Sequence, residues 1–201
     1  MNRRRTCAVG LIASLALEPN CAIAGSSFAT SDATPITASA SLDFTIIVPK
    51  FVFLRVGTGA DMSESTTIDN LVFAVPPDRI GDGSEVPAMS GQIIARVMGN
   101  NGSITLSSST SGPMNNREGD TISYSEIAVT VAPETTGIAL AHPPLLDGTA
   151  NSINLPTTSG NITKLDARWT FTYLNRHAVP AGTYGGIGQR NGRVNYSVSI
   201  P

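Results

Sequence analysis

The stretch that decides the fold is Arg193-Val194-Asn195-Tyr196-Ser197-Val198-Ser199-Ile200, close to the end of the sequence. Apolar side chains occupy every second position, and polar side chains fill the positions between them. A strand with this period of two buries one face and leaves the other in water. The pattern is typical of antiparallel sheets that pack face to face in a β-sandwich.

Further segments have the length and composition of strands: residues 50–56, 68–75, 91–98, 103–108, 121–131 and 165–174. Asn100-Asn101-Gly102 lies between two of them and Asn191-Gly192 precedes the last strand. Since Asn-Gly tolerates the positive φ angles of tight turns, both predict hairpins. Turn-rich loops at residues 76–87, 109–120 and 133–156 separate the strands. This spacing predicts an all-β fold, an immunoglobulin-like or Greek-key sandwich.

Composition and charge exclude several classes of partner. Charged residues make up 14% of the chain and the formal net charge is −2. Lys and Arg are scattered as single residues, so no basic patch is expected to bind nucleic acid or an anionic membrane surface. No long window has the pattern of an amphipathic helix.

Residues 1–24 have the layout of a secretory signal peptide. Three arginines, Arg3 to Arg5, precede an apolar run over residues 7–17, and Ala22-Ile23-Ala24 supplies small residues for cleavage. The run is too short to span a membrane. We therefore expect an exported protein that passes through the periplasm to the cell surface or the medium. Residues 25–35 are predicted to be a flexible leader, and residues 36–201 a single domain.

The signal peptide contains both cysteines, Cys7 and Cys21, so cleavage after Ala24 would leave no disulfide option. Lipid attachment at Cys21 would instead tether the chain to a membrane. Leu17-Glu18-Pro19-Asn20, just before Cys21, lacks the small uncharged pair that such sites carry.

The sequence offers no pattern of catalytic residues. His142 and His177 are the two histidines, and neither has a metal-ligand or nucleophile neighbour at a useful spacing. His142 is predicted to be an ordinary loop side chain. There is no Gly-x-Ser-x-Gly, and the glycine cluster of residues 182–188 is not followed by a helical pattern, so it predicts a bend. We expect no enzyme activity and no cofactor.

Acidic residues gather in residues 78–85, where Asp78, Asp82 and Glu85 could in principle surround a calcium ion. Their order matches no calcium loop, so a solvated turn is predicted. Asp61 and Glu64 are interpreted in the same way. No metal site is expected.

Trp169, Phe171 and Tyr173 alternate along one predicted strand. If the stripe faced water, it could form a platform for sugars. Aromatic residues at a period of two more often belong to a sandwich core, and we predict the core.

Residues 36–48 form the second strongly alternating segment. Its apolar face consists of Ile36, Ala38, Ala40, Leu42, Phe44 and Ile46. A strand of this kind is an aggregation hazard unless it is paired. Either it folds back into its own sandwich, or it is donated to the groove of a neighbouring subunit, where it would complete the neighbour's sheet.

The two ends of the chain resemble those of a known family. Thr37-Ala38-Ser39-Ala40-Ser41-Leu42-Asp43-Phe44-Thr45-Ile46 is similar to the donor segment of the fimbrial major subunits (pilins) of the alternate chaperone–usher pathway. Ala181-Gly182-Thr183-Tyr184-Gly185-Gly186, followed by the last strand, is similar to their closing motif. In those subunits this motif runs directly into the last strand, whereas residues 187–191 intervene here.

The resemblance implies an incomplete immunoglobulin-like fold, a periplasmic chaperone, an outer-membrane usher, identical or related subunits as partners, and a role in adhesion. Residues 36–48 would be the donor strand. The alternative is a self-contained secreted sandwich that binds a glycan or protein surface as a monomer. The two hypotheses differ in the native mass that they predict for the exported protein.

Overall fold

The computed structural model describes residues 26–32, 34–135 and 137–201. The predicted signal peptide, with Cys7 and Cys21, lies outside the described residues. The chain divides into two units, Met1–Val48 and Pro49–Pro201. Each unit is described by itself.

The described part of Pro49–Pro201 is built almost entirely of antiparallel strands. The strands are β1 Val52–Val56, β2 Val86–Gly99, β3 Ile104–Thr110, β4 Met114–Asn115, β5 Thr121–Ile122, β6 Ile127–Ala132, β7 Ala150–Leu155, β8 Thr163–Tyr173 and β9 Val194–Ser199. A four-stranded sheet has the order β1-β2-β8-β6, a three-stranded sheet has the order β7-β3-β9, and β4 pairs with β5. Two short 3-10 helices, Pro77–Arg79 and Tyr124–Glu126, connect strands. The predicted all-β sandwich is confirmed.

The core lies between the two main sheets and is organised around β8. Trp169 is 0% exposed, and Phe171 and Tyr173 are each 5% exposed, so the prediction that this stripe belongs to the core is confirmed. The indole Nε1 of Trp169 donates to the carbonyl of Leu140 at 2.8 Å, which satisfies its polar atom inside the core. From the facing sheet, Ile104 and Leu106 of β3 are both 0% exposed.

The strand order follows that of an immunoglobulin sandwich. There, strands A, B, E and D form one sheet and C, F and G form the other. β1-β2-β8-β6 reproduces the first sheet, and β3 and β9 take the places of C and F, with β7 added beside β3. No strand of the described residues takes the place of G beside β9. β9 is therefore an edge strand whose outer backbone groups face no neighbouring strand of this sheet.

The predicted strand at residues 68–75 is wrong. Residues 71–75 alternate in exposure, and the amide of Met89 in β2 donates to the carbonyl of Val72 at 2.8 Å, but residues 68–75 form no ladder with any described strand. The cause lies in β2, whose pairing with β8 is interrupted between Pro87 and Gln92. Because a bulge disrupts the ladder locally, a regular strand cannot continue on the other side.

Other local predictions also differ from the structure. Asn100-Asn101-Gly102 turns the chain as predicted, but β2 and β3 belong to different sheets, so the turn is not a hairpin. Asn191-Gly192 leads into β9, which pairs with β3 and not with a sequence neighbour. The predicted strand at residues 121–131 is split by the 3-10 helix Tyr124–Glu126. β7 lies in a region that was predicted to be a loop.

Candidate functional site

An open groove runs between β9 and residues 67–75 and reaches the core. Its first compartment is a cavity of about 420 Å³. Core residues Ile93, Phe171 and Tyr124 contribute to its lining, and each is less than a tenth exposed. The hydrophobic core is therefore accessible along the side of the sandwich where β9 has its free edge.

A second compartment of about 510 Å³ lies farther along residues 70–75. Gly186 and Gly192 line both compartments, so the two adjoin at the start of β9. Apolar side chains line this part of the groove as well, including Ile122, Val179 and Ile80. The first cavity lies along β9, and the second adjoins it just before that strand begins. A groove of this kind can accept an extended segment with alternating side chains.

The inward side chains of β9 are incompletely buried. Val194, Tyr196 and Val198 of β9, and Ile200 just after it, have the inward alternation that the sequence predicted, but all four are of intermediate exposure. By contrast, the inward residues of β8 are buried. The difference shows that the core is closed on the β8 side and open on the β9 side.

Glycines fix the shape of the groove at the start of β9. A Cβ atom on Gly192 would lie 2.3 Å from the amide nitrogen of Gly186 and 2.7 Å from the Cα of Gly185. These contacts leave no room for a side chain at position 192. The backbone loops outward after Gly186 and returns to lie against it at Gly192. The intervening residues 187–191 are looped out, and they carry Ile187, which is 66% exposed at the groove. The insertion noted in the sequence thus leaves the path into β9 intact.

The segment of residues 36–48 belongs to the other unit and is not a strand in the structure. Its large apolar side chains are exposed: Leu42 by 76%, Phe44 by 84% and Ile46 by 86%. An extended chain forms a strand when a neighbouring edge accepts its hydrogen bonds, and no described residue pairs with this segment in a ladder. Ile36, Ala38 and Ala40 are exposed as well.

The comparisons with family models, with curated proteins and with solved structures found no match. Among the residues that the structure describes, no helix is long and apolar enough to cross a membrane. The same residues contain no group of three or more His, Cys, Asp or Glu side chains placed to hold a metal ion. The case for a function therefore depends on the groove and on the exposed segment.

The acidic segment of residues 78–85 is a turn, and Asp78, Asp82 and Glu85 are exposed. Asn175, which is 1% exposed, holds the backbone of this turn by hydrogen bonds from its side chain. The side chain of Asn175 accepts from the amide of Gly81 at 2.9 Å and donates to the carbonyl of Arg79 at 2.6 Å. Sequence reasoning gave no signal for this role, because the partners are 94 and 96 residues apart.

Asp61 has a more specific role than the solvated turn that was predicted. Its carboxylate lies between two arginines, 2.8 Å from Arg55 of β1 and in contact with Arg96 of β2. Arg96 also contacts Asp166 of β8 at 3.3 Å. The outer face of the four-stranded sheet is thus crosslinked by a charge network over three strands.

His142 is not an ordinary loop side chain. Its Nε2 lies 2.7 Å from the hydroxyl of Tyr196, and its ring meets the ring of Trp169 edge-on with centroids 4.6 Å apart. Burial lowers the pKa of His142 to about 4 and raises the pKa of Tyr196. The imidazole therefore packs in its neutral form between the core and β9, the strand at the open edge.

This burial predicts a loss of stability in acid. The unfolded chain takes up a proton on His142 near pH 6.5, whereas the folded protein does so near pH 4. Because the unfolded state binds more protons between these values, the free energy of unfolding should fall as the pH drops from 6.5, by about 3 kcal/mol once it is below 4. Denaturant titrations across this range should show that His142→Gln removes this contribution. The matched variant His177→Gln, at an exposed histidine, should keep it; an unchanged slope in His142→Gln would contradict the prediction.

Proposed function

We propose that this protein is an exported structural subunit of a surface fibre. Residues 36–48 of one copy enter the groove beside β9 of the next copy and complete its three-stranded sheet. Because the donated segment and the accepting groove are different surfaces, the contact is head-to-tail, and a rotation between copies that does not close a ring produces a filament. The fibre contributes to adhesion, as the resemblance of the chain ends to fimbrial subunits implies.

One observation carries the proposal: the same chain contains an open sandwich edge and an exposed alternating segment. The groove lacks the apolar side chains that would fill it, and residues 36–48 expose such side chains to water. Burying Leu42, Phe44 and Ile46 would contribute roughly 1.5–3 kcal/mol each. Backbone hydrogen bonds between the donated segment and the free edge of β9 would add to this stabilisation. They would also leave neither the segment nor that edge of β9 unpaired.

The topology supports the location. In an immunoglobulin sandwich, strand G lies beside strand F, which is the place next to β9. A subunit with this groove uncovered would expose part of its core in transit. That hazard accounts for the implied partners, a periplasmic chaperone that holds the groove and an outer-membrane usher where subunits are joined.

A self-complemented variant tests the proposal. A flexible linker and a second copy of residues 36–48 are added after Pro201, so that the added segment can run back along β9. We expect this protein to be monomeric and to melt at a higher temperature than an otherwise identical control whose added copy carries Asp in place of Phe44. If the two proteins have the same melting temperature and the same assembly state, the groove does not accept the segment.

The alternative function, a monomeric sandwich that binds a glycan or protein surface, predicts a different result. In that case the unmodified protein is a monomer, and the added segment changes neither its mass nor its melting temperature. The aromatic stripe that could have formed a sugar platform is buried in the core, so no exposed feature of that strand favours this alternative.

A further inference from the structure

The groove has two charged residues among those that line it. Asp69 lies on the wall formed by residues 67–75, and Arg193 lies immediately before β9. Strands β3, β7 and β9 contain no charged residue, so Arg193 stands at the end of an uncharged sheet. Arg193 is exposed, and no ion pair found among the described residues involves it.

Residues 36–48 also contain a single charged residue, Asp43. It stands between Leu42 and Phe44, so in an extended conformation it lies on the polar face, together with Thr37, Ser39, Ser41 and Thr45. Insertion of the apolar face into the groove would place Asp43 on the outer surface of the sheet. Arg193 immediately precedes Val194, which points inward, so continuing the alternation of β9 places Arg193 on that surface, at the rim of the groove.

We infer that Asp43 of one copy pairs with Arg193 of the next copy and fixes the register of the inserted strand, an inference that rests on the proposed function. The strand that follows F in an immunoglobulin sandwich runs antiparallel to it. In that direction, pairing Asp43 with Arg193 aligns the polar faces throughout: Ser41 lies opposite Asn195, Ser39 opposite Ser197 and Thr37 opposite Ser199.

The apolar faces fit in the same register. Ala40 lies opposite Tyr196, the largest inward side chain of β9, and Phe44 lies opposite Gly192, where the two cavities adjoin. A slip of two residues toward the end of β9 would place Leu42 opposite Tyr196 and Phe44 opposite Val194. A slip in the other direction would place Ala38 opposite Tyr196 and Leu42 opposite Gly192. Cross-strand pairs of large apolar side chains are themselves favourable, so the apolar face is compatible with each of these registers, and the charge pair distinguishes between them.

The charge pair contributes mainly to specificity. Opposite charges across an exposed strand pair stabilise it weakly, and like charges destabilise it by a similar amount. Slipped registers lose the direct Asp43–Arg193 contact although they accommodate the apolar face. Reversing the charge of Asp43 should therefore lower the occupancy of the register roughly two- to five-fold.

Disulfide trapping in the exported full chain tests the register. The variant with Ser41→Cys and Asn195→Cys places two thiols opposite each other in neighbouring copies. The matched variant with Ser39→Cys and Asn195→Cys is offset by two residues, about 7 Å along the strand, which is beyond the reach of a disulfide. Wild type and Ser41→Cys alone control for any contribution of Cys7 and Cys21. Covalent multimers are counted on non-reducing gels.

We expect a ladder of multimers from the 41/195 pair and little from the offset pair. Adding Asp43→Arg should weaken the ladder, and adding Arg193→Asp to that variant should restore it. A ladder from the offset pair, or one that Asp43→Arg leaves unchanged, would overturn the inference while leaving strand donation intact. A 41/195 disulfide within monomers, or no ladder together with a Phe44→Asp variant that matches wild type in mass, would overturn the proposed function as well.

Discussion

Replacing Phe44 with Asp should abolish assembly of the exported protein without unfolding it. In the proposed fibre, Phe44 enters a neighbour's core, where an unpaired charge costs several kcal/mol. Such a cost lowers the affinity between subunits by more than a hundredfold. Phe44 is 84% exposed in the single chain, so the subunit itself loses no core contact. Size separation of exported wild type and variant, together with their melting temperatures, measures both effects.

The matched control is Thr45→Asp, which adds the same charge one residue later on the polar face. That face stays in water after insertion, so assembly should continue. If the strand instead folded back into its own sandwich, Phe44→Asp would destabilise the monomer by about 3 kcal/mol or more and would not change the assembly state. Equal loss of assembly in both variants would mean that charge alone, and not insertion of the apolar face, explains the effect.

Replacing Trp169 with Ala should bring the sandwich close to unfolding. Trp169 is fully buried on β8, and its truncation leaves a large cavity and an unpaired carbonyl at Leu140. Changes of this type cost about 3–5 kcal/mol, out of about 5–15 kcal/mol that hold a typical domain together. Denaturant titration in the Phe44→Asp background measures the loss on monomers, so that assembly does not contribute.

The control for this prediction is Ile94→Ala, on the outer face of the same sheet. Ile94 is 36% exposed and lies opposite Arg168 of β8. Its truncation should cost about 1 kcal/mol or less, since exposed positions make few core contacts. If the two variants lost equal stability, the core would not be organised around Trp169 as the structure indicates.

The sequence predicted most of the strands because their signal is local. Alternation of apolar and polar residues identified the cores of β2, β3, β8 and β9 and the face that each one buries. The same signal marked residues 36–48 as unusual. Local patterns report which side of a strand is apolar, and burial of that side follows from the hydrophobic effect alone.

Pairing between strands was harder to predict because it depends on distant residues. Residues 68–75 have the pattern of a strand, yet they form no regular ladder with β2, because β2 is bulged between Pro87 and Gln92. Asn100-Asn101-Gly102 reverses the chain, but the turn residues do not specify to which sheet the next strand belongs. β7 was missed because its sequence, Ala150–Leu155, contains two asparagines and a serine.

The groove and the polar contacts of Asp61 and His142 could not be predicted from the sequence either, because they too depend on residues far apart in the chain. Asp61 and Arg96 are 35 residues apart in the chain, and His142 and Tyr196 are 54 apart. No local pattern indicates that such side chains meet. The sequence did supply both components of the proposed interface, the alternating segment and the last strand, because each of them is a local pattern.

The most direct test of the central claim is the native mass of the wild-type protein recovered from outside the cell. Strand donation between copies predicts multimers of the mature subunit, visible as filaments by electron microscopy and resolved to monomers after denaturation. A wild-type protein that is wholly monomeric under native conditions would contradict strand donation and would favour the self-contained sandwich.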